Sequence, residues 1–346
     1  MLGASHDDAR SLRGAAGSRG GRPVFAALDL GTNNCRLLIA EQQSGGFRVV
    51  DGFSRIVRLG EGLAATGYLH PAAMDRALSA LQECAARMAS QRIAHWRTVA
   101  TQACRVAVNG PEFLQRVQDS TGIDLEVISP EEEAQLSVRG CAPLIDPGAD
   151  WVLVVDVGGG STEISWVDAR PVRLGAPAKI QAWTSLPFGV VTLAERHLDG
   201  VDSADWYQRI VTEVETSLRA FRGADGLRDA FLQGNSHYLG ASGAVTSLAG
   251  VLLGLAKYQR ARVDGLWLSV EQARATGQRL RELGRAYRAK NGCIGPERAD
   301  LVVPGAAILE AVFRAWPADR IRVADRGLRE GLLYTLMARS KGLPDD

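Results

Sequence analysis

The feature that most constrains this chain is a pattern that occurs twice. An apolar strand carries an aspartate near its end, a glycine turn follows, and a second apolar strand leads away. The first copy runs from Val24 to Leu30 with Asp29, then Gly31-Thr32-Asn33-Asn34, then Cys35 to Ala40. The second runs from Trp151 to Val155 into Asp156, then Gly158-Gly159-Gly160-Ser161-Thr162, then Glu163 to Val167. Strand, short turn and strand make a hairpin, whereas a nucleotide P-loop needs a helix after its glycines. Two such hairpins predict duplicated α/β halves with a cleft between them.

The remaining elements follow from periodicity. Phe47 to Phe53 predicts a third strand. Between Pro71 and Gln91 the residues Met74, Leu78, Leu81, Ala85 and Met88 recur at helical steps. Trp96 to Ala100 and Asp124 to Ile128 predict strands, the first followed by Thr101 to Arg105, and a helix is expected from about Pro111 to Thr121. Ser129 is a natural N-cap, and Pro130 suits the first helical position. Later come a Leu186-Pro187-Phe188-Gly189 turn, a helix through Glu195, and helices from about Ala204 to Arg222 and Ser269 to Lys290. A third small-residue loop, Gly240-Ala241-Ser242-Gly243, opens an apolar helix, and Gly327 to Arg339 predicts a closing one.

Bulk composition excludes several classes. At 346 residues the chain suits two medium domains. Forty basic residues face 39 acidic ones, so no global field draws it to nucleic acid or membrane, and an anion site must be local. No apolar run approaches the roughly 20 residues that span a bilayer. Residues 1–22 lack the apolar core of a signal peptide and read as a disordered tail. The five scattered cysteines form no metal or redox motif, so a reducing cytoplasm is expected.

The loops carry the chemistry. Glycine lets successive amides cradle phosphate oxygens, and Thr32, Ser161, Thr162 and Ser242 add hydroxyl donors. Asp29 and Asp156 stand just before their loops. Each either accepts the amides of its own turn or faces bound phosphate across a cation, Mg²⁺ or Mn²⁺. Of the acids at 131–133, Glu132 has capping-box spacing from Ser129, and Glu131 suits the helix dipole. Glu133 has no evident local task. Arg105, at a strand end, is either a phosphoryl grip or a surface ion pair. The five histidines are isolated, which leaves no Ser-His-Asp arrangement.

These motifs resemble the exopolyphosphatase and guanosine pentaphosphate phosphatase (Ppx/GppA) family. The resemblance rests on Ala26 to Asn34, Ile128 to Ala134, Val155 to Glu163, Leu186 to Gly189 and Leu239 to Gly243. It extends to Val303-Pro304-Gly305-Ala306 and Leu328-Arg329-Glu330-Gly331. It implies an α/β fold of two ribonuclease-H-like domains, of the acetate kinase, actin and sugar kinase superfold, with the site in the interdomain cleft. The implied division is 23–137 with the C-terminal segment 327–346, and 138–326.

The resemblance also implies Mg²⁺-dependent hydrolysis of terminal phosphoanhydride bonds in polyphosphate or guanosine pentaphosphate, a stringent-response substrate. Glu133 matches the family's catalytic glutamate, as general base for water, and Arg105 its phosphate-gripping arginine. Asp156 and Glu163 match acids around the metal and the lytic water; Asp29 is expected beside them. Asn33, Gly158, Ser161 and Gly243 match phosphate-loop positions, and Gly31, Thr32, Gly159, Gly160, Thr162, Gly240, Ala241 and Ser242 complete the three loops. Thr32-Asn33-Asn34 replaces the usual Ser-Asn-Ser, and Pro130-Glu131 stands where many members have Gly-Asn. The chain matches only the family's core module, which predicts weak gripping of long polymers. A kinase or ATPase of the same superfold, and an idle nucleotide or polyphosphate sensor, stay open as alternatives. So does homodimerisation.

Overall fold

The computed structural model describes residues 22–221 and 226–342; of the tail expected over 1–22, all but Arg22 lies outside them. The first sheet holds β1 (Val24–Leu30), β2 (Asn34–Gln43), β3 (Gly46–Ile56), β4 (Ile93–Ala100) and β5 (Glu126–Val127), in the order β3-β2-β1-β4-β5. The second holds β6 (Trp151–Val157), β7 (Thr162–Asp168), β8 (Lys179–Leu186), β9 (Ser236–Ala241), β10 (Trp267–Ser269) and β11 (Arg320–Ala324), in the order β10-β11-β9-β6-β7-β8.

Both sheets are built alike. β1, β2 and β3 form an antiparallel meander, and β4 runs parallel to β1. β6, β7 and β8 repeat the meander, and β9 runs parallel to β6. The same order and direction of pairing in each half give two ribonuclease-H-like α/β domains, the architecture of the acetate kinase, actin and sugar kinase superfold. Register carries the internal repeat to single residues: Asp29 lies opposite Arg36, and Asp156 opposite Glu163.

Helices cover both faces of the first sheet. On one face, helix Pro71–Ala89 sets Ala77, Leu81 and Cys84 against Leu28, Leu37 and Ile39. On the other, helix Leu328–Arg339 sets Leu332, Leu333 and Leu336 against Phe25, Ala27 and Leu38. The C-terminal segment thus belongs with the first sheet, although 186 residues (328 − 142) separate its start from the end of helix Pro130–Cys141, on which it packs.

Helix Pro130–Cys141 is shared between the halves. Its Leu136 enters the first-sheet core, while Val138 and Cys141 pack with Val152, Val154 and Leu239 of the second. The expected boundary between 137 and 138 therefore falls inside one helix. This helix crosses Leu328–Arg339 with no side chain between the backbones. A Cβ on Gly140 would fall on the Gly327 carbonyl, and one on Gly331 on the Leu136 carbonyl.

Several elements differ from expectation. The helix expected over Ser269–Lys290 breaks at Gly284, whose φ of 73° ends Val270–Glu282 before Gly284–Lys290 begins. The strand expected over Asp124–Ile128 is only two residues long. β8, β10, β11 and helix Val302–Ala315 were not foreseen. That helix buries eleven of its residues, so its polar face narrows to Glu310 and Arg314 and the helical period is hard to see.

Candidate active site

The two glycine loops meet at the base of a cleft of about 590 Å³ between the sheets. The second loop packs its glycine backbone against Thr32 and Asn33 of the first. A Cβ on Gly159 would lie 3.1 Å from the Asn33 nitrogen, and one on Gly160 2.6 Å from Thr32 Oγ1. Within each loop the first glycine closes the turn: Gly31 N–H donates to Asn34 O (2.9 Å) and Gly158 N–H to Ser161 O (3.0 Å). Loop carbonyls are taken from outside. Thr32 O accepts from Gly60, Asn33 O from Val57, Gly158 O from Val190 and Gly159 O from Val191. Among the described residues, the amides of Thr32, Asn33, Gly159 and Gly160 find no partner. Unsatisfied amides converging from two loops form an anion cradle. The Asn33 side-chain oxygen is buried beside them without a partner.

The third loop adds a helix N-terminus. Ser242 caps helix Gly243–Leu252 by accepting from Val245 N–H at 3.0 Å, and Ala241, Ser242 and Gly243 line the cleft. Gly240 does not line it. It sits in β9, where a Cβ would strike Ile321 and Val245, so its smallness serves packing. Thr162 is also turned away: it is fully buried, and its hydroxyl donates to Phe188 O at 3.0 Å.

Besides Glu297, Asp325 and Glu330, four carboxylates line the cleft: Asp29, Glu133, Asp156 and Glu163. Neither aspartate accepts an amide of its own turn. Burial raises Asp29, though Arg36 and Arg329 pull against it. Burial raises Asp156 to about 6, against a hydrogen bond from the Ser137 hydroxyl at 2.6 Å. Glu163 rises to about 7, first through burial and then through Asp156 opposite it. Burial, followed by repulsion from Glu163, lifts Glu133 well above the usual carboxylate range, and Arg105 opposes this. Such acids take up protons unless a cation joins them. Among the described residues no three His, Cys, Asp or Glu side chains form a ready-made metal cage.

Ser129 caps the Glu133 helix as expected, accepting from Glu132 N–H at 3.1 Å. Glu132 does not complete the capping box. Its carboxylate pairs with Arg97 at 2.6 Å, because a largely buried guanidinium is a stronger partner than the cap amide. Glu133 is left to point into the cleft, and its partner is Arg105, with both terminal nitrogens 3.3 Å from Oε2. Arg105 also donates to Ile128 O and Gln102 Oε1, each at 2.7 Å. It stands behind Glu133 and does not line the cleft.

The sequence reading did not single out the arginines that do line it. Arg36, Arg55, Arg298 and Arg329 reach the cleft, and none is ion-paired to a carboxylate among the described residues. Arg55 stacks over Phe53 instead, 5.0 Å from the ring centroid. Arg260, also in the lining, is held by Glu330 at 2.9 Å. Two signals pointed to two of them: the register of Arg36 opposite Asp29, and Arg329 within the Leu328-Arg329-Glu330-Gly331 motif.

Comparison with known proteins places this geometry. The family model described as the Ppx/GppA phosphatase family matches residues 38–340. An exopolyphosphatase-like protein of known structure is 30% identical, with a TM-score of 0.82 over 92% of this chain and 99% of that one. A Ppx/GppA family member from Aquifex aeolicus is 26% identical, with a TM-score of 0.74 over 92% and 98%. An exopolyphosphatase from Cytophaga hutchinsonii shares the fold at 24% identity, with a TM-score of 0.80 over 93% and 99%. With cradle, buried acids and family match in agreement, the chain belongs to the Ppx/GppA phosphatase family.

Proposed function

We propose that this protein hydrolyses the terminal phosphoanhydride bond of inorganic polyphosphate or guanosine pentaphosphate, with Glu133 as general base. The observation that carries this reading is the position of Glu133. It is a buried carboxylate in the cleft, held by one arginine and facing two loops whose amides are free. Burial, followed by repulsion from Glu163, raises its proton affinity above that of an ordinary carboxylate, the direction a general base needs.

The terminal phosphoryl group lies in the cradle of Thr32, Asn33, Gly159 and Gly160, with Ser161 and the Ser242 loop beside it. Glu133 takes a proton from a water in line with the scissile bond. The water oxygen bonds to phosphorus, the bridging P–O bond breaks, and its electron pair leaves with the shortened chain. Phosphoryl transfer of this kind needs mainly positioning and charge neutralisation. The unpaired Arg36, Arg55, Arg298 and Arg329 offset the charge of the phosphates behind the terminal one.

The acids also suit a divalent metal. Hard oxygen donors favour Mg²⁺ or Mn²⁺, and Mg²⁺ needs only one or two carboxylates when phosphate oxygens and water complete its shell. Asp156 and Glu163 would hold it, with Asp29 alongside, and it would supply charge neutralisation at the phosphoryl oxygens. Among the described residues no helix is long and apolar enough to cross a membrane. The five cysteines are free and buried, which supports a reducing cytoplasm.

The test is phosphate release from each substrate by wild type and Glu133→Gln, with and without Mg²⁺. Turnover that survives in Glu133→Gln near the wild-type rate sinks the assignment of the base. ATP consumption coupled to a small acceptor, without phosphate release, would mark a kinase instead, and binding of either substrate without turnover an idle sensor.

A further inference from the structure

We propose that Ser137 is a positioning residue for this hydrolysis, its hydroxyl fixing the Asp156 carboxylate so that the second oxygen faces the cleft. The inference rests on the hydrolase reading above, but its structural arm stands apart from it.

Ser137 follows Glu133 by one helical turn, so both side chains leave the same face of helix Pro130–Cys141. A serine inside a helix commonly bonds the carbonyl four residues back. Ser137 does not. It is 1% exposed, and its Oγ–H reaches out of the helix to Asp156 Oδ2 at 2.6 Å, the length of a charge-assisted bond. This is the only hydrogen bond to the Asp156 carboxylate among the described residues. Oδ1 is left for whatever the cleft binds.

The bond spans the halves. Asp156 ends β6 of the second sheet, whereas Glu133 sits where its helix enters the first-sheet core. One turn of helix therefore sets the base and the acid relative to each other. Gly327 lies beside the pair: a Cβ there would stand in ordinary van der Waals contact with both, 3.4 Å from Ser137 Oγ and 3.6 Å from Asp156 Oδ2. The acid opposite is held in the same manner, Ser185 Oγ–H donating to Glu163 Oε1 at 2.8 Å. Partners that orient a ligating carboxylate commonly matter by about 10–100-fold in activity or affinity.

The experiment compares wild type and Ser137→Ala, both full length, in two measurements. In phosphate release from polyphosphate at saturating Mg²⁺, kcat falls by about tenfold or more while KM stays within about twofold. In crystals of the substrate-free variant, the Asp156 carboxylate rotates away from its wild-type orientation or splits over two. A kcat near wild type, a KM that rises in step with the loss, or an unmoved Asp156 overturns the proposal. Absence of phosphate release by the wild type would remove the hydrolase reading and not this clamp, which the crystals still decide.

Discussion

Arg105 places both terminal guanidinium nitrogens 3.3 Å from a single oxygen of Glu133, and holds itself there through Ile128 O and Gln102. The geometry is a fork closed on one carboxylate oxygen, which leaves the other to accept a proton. Removing the carboxylate charge should remove the base. Glu133→Gln is expected to lower kcat by about 100-fold or more with KM little changed, checked by initial rates of phosphate release.

Lysine cannot reproduce that fork. It has one nitrogen where Arg105 uses two to meet four contacts, so the substitution is not conservative here. Arg105→Lys should lower kcat by about tenfold or more, because a misplaced positioning group costs orders of magnitude. Equal kcat in the two proteins would show that charge alone suffices at this position.

The buried acids set a pH dependence of stability. Asp156 rises from 3.8 to about 6 on folding. Between those values the folded chain binds more protons than the unfolded one, so this group's contribution to stability falls as pH rises through the window and is level above it. Asp156→Asn removes the contribution. In metal-free buffer its Tm should match wild type near pH 4 and exceed it increasingly up to about pH 7. A constant difference across that range, measured by thermal melts, would contradict the assignment.

Ser161 and Thr162 should separate cleanly. The Thr162 hydroxyl is spent on Phe188 O inside the second domain. Thr162→Val is expected to cost about 1 kcal/mol of stability, the worth of a buried hydrogen bond, with kcat unchanged. Ser161→Ala, in the cleft lining, should lower activity and leave Tm nearly constant. Denaturant melts and phosphate release, run on both, read the two effects.

Gly140→Ala should destabilise although alanine is the better helix former. The added methyl meets the Gly327 carbonyl, and backbone cannot swing aside as a side chain would. A loss of about 1–3 kcal/mol or more is expected, seen as a lower midpoint in denaturant. An unchanged midpoint would mean that the crossing has room.

What could be read from the chain beforehand was what neighbouring residues decide. The hairpins, their aspartates and the Ser129 cap depend on a few adjacent positions, and each stands where the pattern put it. Glu133 was left without a local task by its neighbours, and its catalytic role is what the family resemblance implies. Thr162 shows a signal left unused: side chains alternate along a strand, so a residue next to Glu163 must face the other way. The Arg97 partner of Glu132, the Arg105 partner of Glu133 and the Ser137 bond to Asp156 join residues 35, 28 and 19 positions apart (132 − 97, 133 − 105, 156 − 137) across separate elements. No local pattern records them. Helix Val302–Ala315 hid for the opposite reason, being apolar except at Glu310 and Arg314.

The crossing at Gly140 and Gly331 has a consequence for how such a protein can change over time. Its tightest fit is made of atoms that every residue shares, and its instruction in the sequence is the lack of any side chain. A replacement there finds no compensating partner, because no second substitution shortens a carbonyl. The cleft arginines, stacked or without a carboxylate partner among the described residues, meet neighbours through flexible side chains and carry no such restriction. Inherited variation therefore has room to retune what enters the cleft and almost none to move the frame on which Glu133 and Asp156 are mounted.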